Sequence, residues 1–270
     1  MKVLAISFAK RALETGSREQ ERMIAYGSQF EAFHLIVLTD ESDHLPESFT
    51  TGTVQIYGTN SRSKWGKLRR AITLGRQVCA EAPGEWVVSS QDPFETSFIA
   101  RRIISAVGGG VHQVQLHGDF YGAGPWVSES FSNRLRAWYG RLVLRDARKI
   151  RVVSERIKQS LIAIGVEEQK IVVLPVAVSL EPFLAIGQAR LTPEGDVPHR
   201  FMFVGRFAPE KRIEEILSAA RLLHAHAAAF ELTVVGDGPL RATLSNLIAT
   251  YGLENVVHIK PWTNDLPALL

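Results

Sequence analysis

The sequence predicts an α/β protein with parallel sheets, divided into two domains. Short β-branched segments alternate with longer segments whose apolar residues recur every three or four positions, and this alternation is typical of a parallel sheet covered by helices. It stops at EPFLAIGQARLTPEGDVPHR (181–200), which is rich in proline, glycine and charge, and then starts again. We therefore expect a first domain at 1–180, a linker at 181–200 and the first part of a second domain at 201–270.

Seven segments of the first domain have the length and β-branched composition of strands. They are KVLAISF (2–8), FHLIVLT (33–39), TVQIYG (53–58), WVVSS (86–90), VHQVQLH (111–117), KIRVVS (149–154) and KIVVLP (170–175). Most of the intervening segments have helical spacing, as in ESFSNRLRAWYGRLVLRDA at 129–147. Ser154 is placed to cap the helix that begins ERIKQSL, and Gly165 follows its last turn.

The second domain repeats this order in a shorter form. The predicted elements are a strand at 201–204, a helix near 210–225, a strand at 231–235, a helix at 239–251 with Pro239 at its first position, and a strand at 256–260. An open α/β sheet typically has about five or six strands. We therefore expect the second domain to be incomplete in this chain.

The composition limits the class of protein. Hydrophobic residues make up 46% of the 270 residues and charged residues 22%, which is enough for two packed cores. The single cysteine, Cys79, excludes an internal disulfide framework and suits the cytoplasm. MKVLAISFA lacks the cleavage site of a signal peptide, and no run approaches the roughly 20 apolar residues of a membrane-spanning helix. A net charge of +3, without a motif that reads nucleic acid, does not indicate a DNA or RNA partner.

A glycine and three cations follow the first strand of the second domain, in FMFVGRFAPEKRIEEIL. They are Gly205, Arg206, Lys211 and Arg212. Ligands of open parallel sheets bind where strands end and helices begin, and helix amino termini attract phosphate. Arginine can contact two phosphate oxygens at once, and lysine supplies a movable point charge. The pattern therefore indicates a phosphate site, with a solvated helix start as the alternative.

A second glycine turn follows the next strand, in VVGDGPL. Gly236, Asp237 and Gly238 lie at another strand-to-helix junction. A dinucleotide-binding fingerprint would need a third glycine where Arg241 stands and an acid near the end of the following strand. That strand, VVHIK, contains no acid, so a nicotinamide enzyme is disfavoured. The alternatives are backbone donors that contact a nucleotide and a tight turn with no ligand.

The first domain has candidate site residues at three strand ends. His117 and Asp119 follow VHQVQL, and a histidine in such a place can hydrogen-bond a substrate hydroxyl. Asp92 precedes Pro93 after WVVSS, where helix capping is the alternative to a ligand contact. Gly16 lies in the first loop, near a helix start, and is a candidate for lining a cleft.

These motifs, with QDPFET, VQLHGDF, IRVVSERIKQSL and IVVLPVAV, resemble family 4 of the retaining glycosyltransferases along almost the whole chain. The resemblance implies the GT-B fold, which has two Rossmann-like domains, and transfer of a sugar from a nucleotide-sugar donor to a glycan or lipid-linked acceptor with retention of configuration. It implies that Arg206 and Lys211 grip the donor diphosphate. Because two fixed cations supply the charge and no Asp-X-Asp metal site is present on a suitable loop, we expect no metal or other cofactor. The resemblance also implies that His117 contacts the donor sugar, and that the glycine turn and the loop with Trp262 surround the nucleobase.

The chain departs from the family pattern at four places. Arg212 and Pro261 stand where glycine is common, and Val176 and Ala177 replace a usual Asn-Gly pair. The family's two glutamates, spaced eight apart, are absent. We therefore expect a truncated chain that is inactive alone. The alternative is a noncatalytic nucleotide- or glycan-binding module.

The stretch SRSKWGKLRRAITLGR (61–76) concentrates positive charge. It contains six cations and no acid, with Trp65 and Leu68 interleaved; the cations are Arg62, Lys64, Lys67, Arg69, Arg70 and Arg76. A basic helix with an aromatic residue can lie on anionic lipid at the inner face of a membrane. The alternative is an ordinary solvated helix face.

Overall fold

The structure is a computed structural model that describes residues 1–122, 125–176, 180–181, 183–184, 198–263, 265 and 269. The chain divides into two compact units, Met1–Ala177 and Val178–Leu270. Most of the predicted linker at 181–200 lies outside the described residues.

The first unit contains an eight-stranded sheet. Its strands are β1 (Lys2–Ser7), β2 (Ala32–Val37), β3 (Ser48–Thr51), β4 (Val54–Gly58), β5 (Trp86–Ser90), β6 (Val111–Leu116), β7 (Lys149–Val152) and β8 (Ile171–Val173). They lie in the order β3-β4-β2-β1-β5-β6-β7-β8. Every neighbouring pair is parallel except β3 and β4. The chain reverses its direction of travel across the sheet between β1 and β5, and crevices for ligands form at such points.

Strand β3 was not predicted from the sequence. It is a four-residue edge strand, SFTT, that pairs with β4 across the turn at Gly52. None of its side chains is fully buried, so its sequence has no apolar alternation to distinguish it from a loop.

The helices of the first unit are α1 (Arg18–Gly27), α2 (Lys64–Ala80), α3 (Glu95–Val107), α4 (Phe131–Asp146) and α5 (Glu155–Ala163). Four of them begin after a serine whose side chain accepts a backbone N–H; these caps are Ser17, Ser63, Ser130 and Ser154. The predicted cap at Ser154 is confirmed. Within the described residues, no helix is long and apolar enough to cross a membrane.

The two faces of this sheet have separate cores. Ile6, Ser90, Val114 and Ile150 are successive register partners and point to one face, where the side chains of α2, α3, α4 and α5 pack. The other face, on the side of α1, has its own core, which includes Val3, Leu35 and Ile56.

Two titratable groups lie in the core beneath α2 and α3. Cys79 is fully buried, and burial raises the pKa of its thiol to about 12. His112 Nε2 lies 3.0 Å from the Ser90 hydroxyl oxygen, which lies 2.8 Å from that of Ser97. Burial lowers the pKa of His112 to about 4, so this histidine is neutral at pH 7 and belongs to the core.

The second unit contains β9 (His199–Val204), α6 (Ile213–Ala225), β10 (Phe230–Val235), α7 (Arg241–Thr250) and β11 (Val257–Lys260). The three strands are parallel and lie in the order β11-β10-β9. The expected helix start at Pro239 is wrong, since α7 begins at Arg241. The chain is held in a turn up to Leu240, whose N–H donates to the carbonyl oxygen of Phe207 at 3.1 Å.

Candidate functional site

Two exposed, unpaired cations follow strand β9. The loop is anchored in the core by Phe207, which is fully buried, and it continues into a short 3-10 turn at Pro209–Lys211. Arg206 and Lys211 are exposed, and in the part of the chain that the structure describes neither side chain has an ion pair or hydrogen bond. Arg212, the third predicted cation, instead pairs with Glu215. The loop therefore offers two free positive charges, from Arg206 and Lys211, at the carboxyl end of the strand.

The backbone of Arg212 explains why glycine suits its position. Its φ is 50° and its ψ is 41°, in the left-handed region, directly before α6. A side chain in that region costs roughly 1–2 kcal/mol. Arginine at this position therefore strains the backbone locally, but it leaves Arg206 and Lys211 in place and unpaired.

The predicted glycine turn packs directly on this cationic loop. A Cβ added to Gly236 would lie 2.0 Å from the carbonyl oxygen of Gly205, and one added to Gly238 would lie 2.5 Å from that of Phe207. The Phe207 N–H donates to the carbonyl oxygen of Asp237 at 2.9 Å. Both glycines are thus required for close backbone packing between the loops after β9 and β10, a reason that holds with or without a ligand.

The other predicted residues of this edge are exposed. Asp237 accepts the N–H of Gly238 and lies 3.7 Å from Arg241 Nη1, which partly offsets its negative charge. Trp262 follows β11 and is about half exposed. The Gly236 N–H donates to the carbonyl oxygen of Lys260, at the end of β11. Because the strands are adjacent and parallel, the three loops that carry these residues lie side by side.

In the first unit, His117 lies where the interior strand β6 ends. Its side chain is exposed, yet surrounding atoms displace enough water to lower its pKa, and the charge of Arg151 lowers the pKa further. Arg151 is held by Gln115 Oε1 at 3.0 Å and the carbonyl oxygen of Leu174 at 3.2 Å. A neutral ring at this edge can donate one hydrogen bond and accept another. Arg151 was not among the residues predicted from the sequence, although a charge inside the predicted strand KIRVVS was a usable signal.

The loop between β6 and α4 is held by side chains near His117. Asp119 has a buried carboxylate that accepts the Gly122 N–H at 2.8 Å and pairs with Arg156 Nε at 3.1 Å. The rings of Phe94, Phe120 and Trp126 lie 5.1–5.2 Å apart in a cluster beside it. Asp119 thus orders the loop and is not a free ligand group.

Asp92 caps a helix, and Gly16 lies in the turn before another. Asp92 Oδ1 accepts the Phe94 N–H at 2.6 Å and the Thr96 N–H at 3.4 Å, so the capping alternative is confirmed for this residue. Gly16 has a φ of 73° and precedes the cap residue of α1. Among the described residues, no three His, Cys, Asp or Glu side chains form a group that could hold a metal ion.

Acids from other segments neutralise most of the basic stretch at 61–76. Arg62 pairs with Glu41, Lys64 with Glu95, Lys67 with Asp40 and Arg70 with Glu47. Leu68 is buried against the sheet, so of the two interleaved apolar residues only Trp65 faces outward. Only Arg69 and Arg76, of the six cations, have no acidic partner within the described residues.

Two protein families match the chain. Residues 21–177 match the glycosyl transferase 4-like domain, and residues 192–270 match glycosyl transferases group 1. The uncharacterized glycosyltransferase YqgM of Bacillus subtilis (strain 168) is 30% identical over 137 residues, which is 48% of this chain and 35% of that protein. The aligned part therefore spans about a third of that relative.

Two solved structures illustrate the shared fold. The lipopolysaccharide outer core galactosyltransferase WaaB has a TM-score of 0.64 at 18% identity, over 98% of this chain and 69% of that one. HepE of Anabaena, solved with UDP-glucose, has a TM-score of 0.67 at 15% identity, over 100% of this chain and 71% of that one. These likenesses confirm the predicted α/β fold, with parallel sheets as in GT-B structures.

Proposed function

Because the chain belongs to the glycosyltransferase family defined by the glycosyl transferase 4-like domain, we propose that its second unit binds a nucleotide sugar and that the whole protein transfers the sugar to an acceptor hydroxyl. The observation that carries this proposal is the pair of exposed, unpaired cations, Arg206 and Lys211, at the carboxyl end of β9. An arginine and a lysine without acidic partners match the charge of a diphosphate.

The chemistry needs positive charge at this place. In sugar transfer the bond between the anomeric carbon and the diphosphate breaks, and negative charge grows on the leaving oxygen. Arg206 and Lys211 stabilise that charge with donors that are already positioned. Two cations supply this without a metal ion. The resemblance to the retaining family favours transfer with retention of configuration.

The family resemblance gives a separate role to each remaining residue. His117 donates or accepts a hydrogen bond at a hydroxyl of the donor sugar, since its lowered pKa keeps the ring neutral at pH 7. Trp262 and the Gly236–Gly238 turn border the nucleobase, and Gly205 and Gly16 let phosphate or sugar approach the backbone. The acceptor is a glycan or a lipid-linked hydroxyl, and the protein works in the cytoplasm or at the inner face of a membrane.

Nucleotide binding by the 270-residue chain tests the phosphate site. We expect UDP, titrated calorimetrically beside GDP and ADP, to bind more weakly by roughly ten- to a hundredfold in Arg206→Ala and in Lys211→Ala, since a hydrogen bond to a charged group contributes about 1.5–3 kcal/mol. Arg212→Ala is the matched control because Glu215 already pairs with that cation. Equal losses in all three variants, or none in the first two, would refute the site.

Transfer itself is measured with the whole protein and UDP-glucose. Arg206→Ala should lower kcat by roughly a hundred- to a thousandfold, as loss of one preorganised donor typically does. His117→Ala should lower transfer while UDP affinity stays unchanged, because the imidazole contacts the sugar and not the diphosphate. Binding of every nucleotide sugar tried without any transfer would instead favour the noncatalytic module.

A further inference from the structure

Helix α4 carries an exposed apolar stripe. Its members recur every three or four residues and are Phe131, Leu135, Trp138 and Leu142, with 81%, 57%, 60% and 40% of their surfaces exposed. The opposite side of the helix is fully packed, through Ala137, Gly140, Val143 and Leu144. Single exposed apolar residues are ordinary, but a continuous row of large ones marks an interaction surface.

Arginines accompany this stripe. Arg134 and Arg141 are exposed along one flank of the stripe, and neither has an acidic partner within the described residues. Arg141 instead lies 6.0 Å from the centre of the Tyr121 ring. A helix side that alternates large apolar residues with arginines has the pattern of helices that lie at a bilayer interface.

A cationic groove lies between α2 and α3, which pack on the same side of the sheet as α4. The groove has a volume of about 440 Å³ and is lined by Arg69, Arg76 and Arg102, together with Trp65 and Phe98. Arg102 lies 5.3 Å from the centre of the Phe98 ring, and none of these three arginines pairs with an acid in the described part of the chain. Arginine binds phosphate oxygens in pairs, so the groove suits a phosphate group.

Most acids near these helices already pair with cations. Glu95 pairs with both Lys64 and Arg136, at 3.0 and 2.6 Å, and Asp146 pairs with Arg101 at 2.8 Å. Glu129, just before α4, and Glu81, at the end of α2, are exposed and have no such bond in the described residues. The outward charge of the three helices is therefore strongly positive.

We propose that the outer surface of α2, α3 and α4 binds an anionic lipid bilayer, with the α4 stripe in the interface and the groove arginines on lipid phosphates. Charge favours this partner over a second copy of the chain, because a symmetric contact would place arginines against arginines. The surface differs from the one that the sequence indicated, since four of the cations at 61–76 are paired and α4 supplies most of the apolar area.

Binding to vesicles tests the proposal with the 270-residue chain. We expect co-sedimentation with phosphatidylcholine vesicles that contain about a third phosphatidylglycerol, weaker binding as salt rises, and little binding to phosphatidylcholine alone. Arg134→Gln with Arg141→Gln should lower the partition coefficient about twenty-five-fold, at about fivefold for each arginine. Leu135→Ser with Trp138→Ser should lower it by about tenfold or more.

Matched controls lie on α1, on the opposite side of the sheet. Arg18→Gln with Arg22→Gln removes the same charge, and Tyr26→Ser removes an aromatic residue that is 51% exposed; both should leave partitioning nearly unchanged. All of these side chains are exposed, so thermal unfolding should confirm that each variant folds. The proposal is overturned if the unaltered chain ignores anionic vesicles or if the α1 variants lose as much binding. It is also overturned if sedimentation shows a dimer that Trp138→Ser dissociates in a chain that binds no lipid.

Discussion

Replacing Gly236 by alanine should damage both the stability of the second unit and its phosphate site. The new Cβ would lie 2.0 Å from the carbonyl oxygen of Gly205 and 2.9 Å from the Phe207 ring. A carbon and a carbonyl oxygen normally approach no closer than about 3.3 Å, so the Gly205 loop would have to move by more than an ångström. The residue before the displaced Phe207 is Arg206, and its guanidinium would move with the loop.

The expected cost can be separated into two parts. The backbone of Gly236 has a φ of 150°, in a region that only glycine readily adopts, and a side chain there costs about 1–3 kcal/mol. Overpacking against the Gly205 loop adds about 1–3 kcal/mol. Gly252→Ala is the matched control, since Gly252 has a φ of 65° and nothing within 4 Å of an added Cβ. It should cost only about 1–2 kcal/mol.

Hydrogen exchange with mass spectrometry measures the loss of stability, and titration with UDP measures the damage to the phosphate site. Peptides from β9 and β10 should lose about 3 kcal/mol or more of protection in Gly236→Ala, while peptides from β5 and β6, in the other unit, should not change. UDP affinity should fall roughly ten- to a hundredfold, as for Arg206→Ala, and should stay unchanged in Gly252→Ala. If Gly236→Ala and Gly252→Ala behave alike, the contact between the two loops has no role in holding Arg206.

Two further predictions concern stability. His112 has a pKa of about 4 in the folded protein against about 6.5 unfolded, so the first unit should lose about 3 kcal/mol as the pH falls from 6.5 towards 4. Hydrogen exchange of β6 against pH should show this loss in the unaltered chain and a flatter profile in His112→Gln; identical profiles would contradict it. Arg212→Gly should stabilise the second unit by about 0.5–1 kcal/mol, because glycine adopts a positive φ without strain. It should leave UDP affinity nearly unchanged, whereas Arg212→Ala, measured by the same urea titration, should give no gain in stability.

The repeated strands and helices could be predicted from the sequence because burial leaves a periodic apolar pattern. Strand β3 could not, since an edge strand with no buried side chain leaves none. The cations at Arg206 and Lys211 were visible because motif spacing is local. The pairing of Arg212 with Glu215 has the right spacing for one helical turn, but the choice between that acid and a ligand depends on the backbone conformation at Arg212.

Contacts between segments that are distant in sequence explain the other differences between the prediction and the structure. The stretch at 61–76 contains no acid of its own, and its partners Asp40, Glu41, Glu47 and Glu95 come from distant loops and a helix start. Their approach follows from the sheet order, which local sequence does not encode. The same holds for Gly236 and Gly238, because the reason for glycine at both positions is a neighbouring loop that begins about 30 residues earlier.

The burial of Cys79 makes this protein convenient for site-directed labelling. It is the single cysteine of the chain, and its thiol, fully buried and with its pKa raised to about 12, has almost no thiolate at neutral pH to react with maleimides. A cysteine introduced at an exposed position would therefore be labelled selectively without removal of the native one. One fluorophore on α1 and a second on α6 would report the distance between the two units in solution, with and without nucleotide.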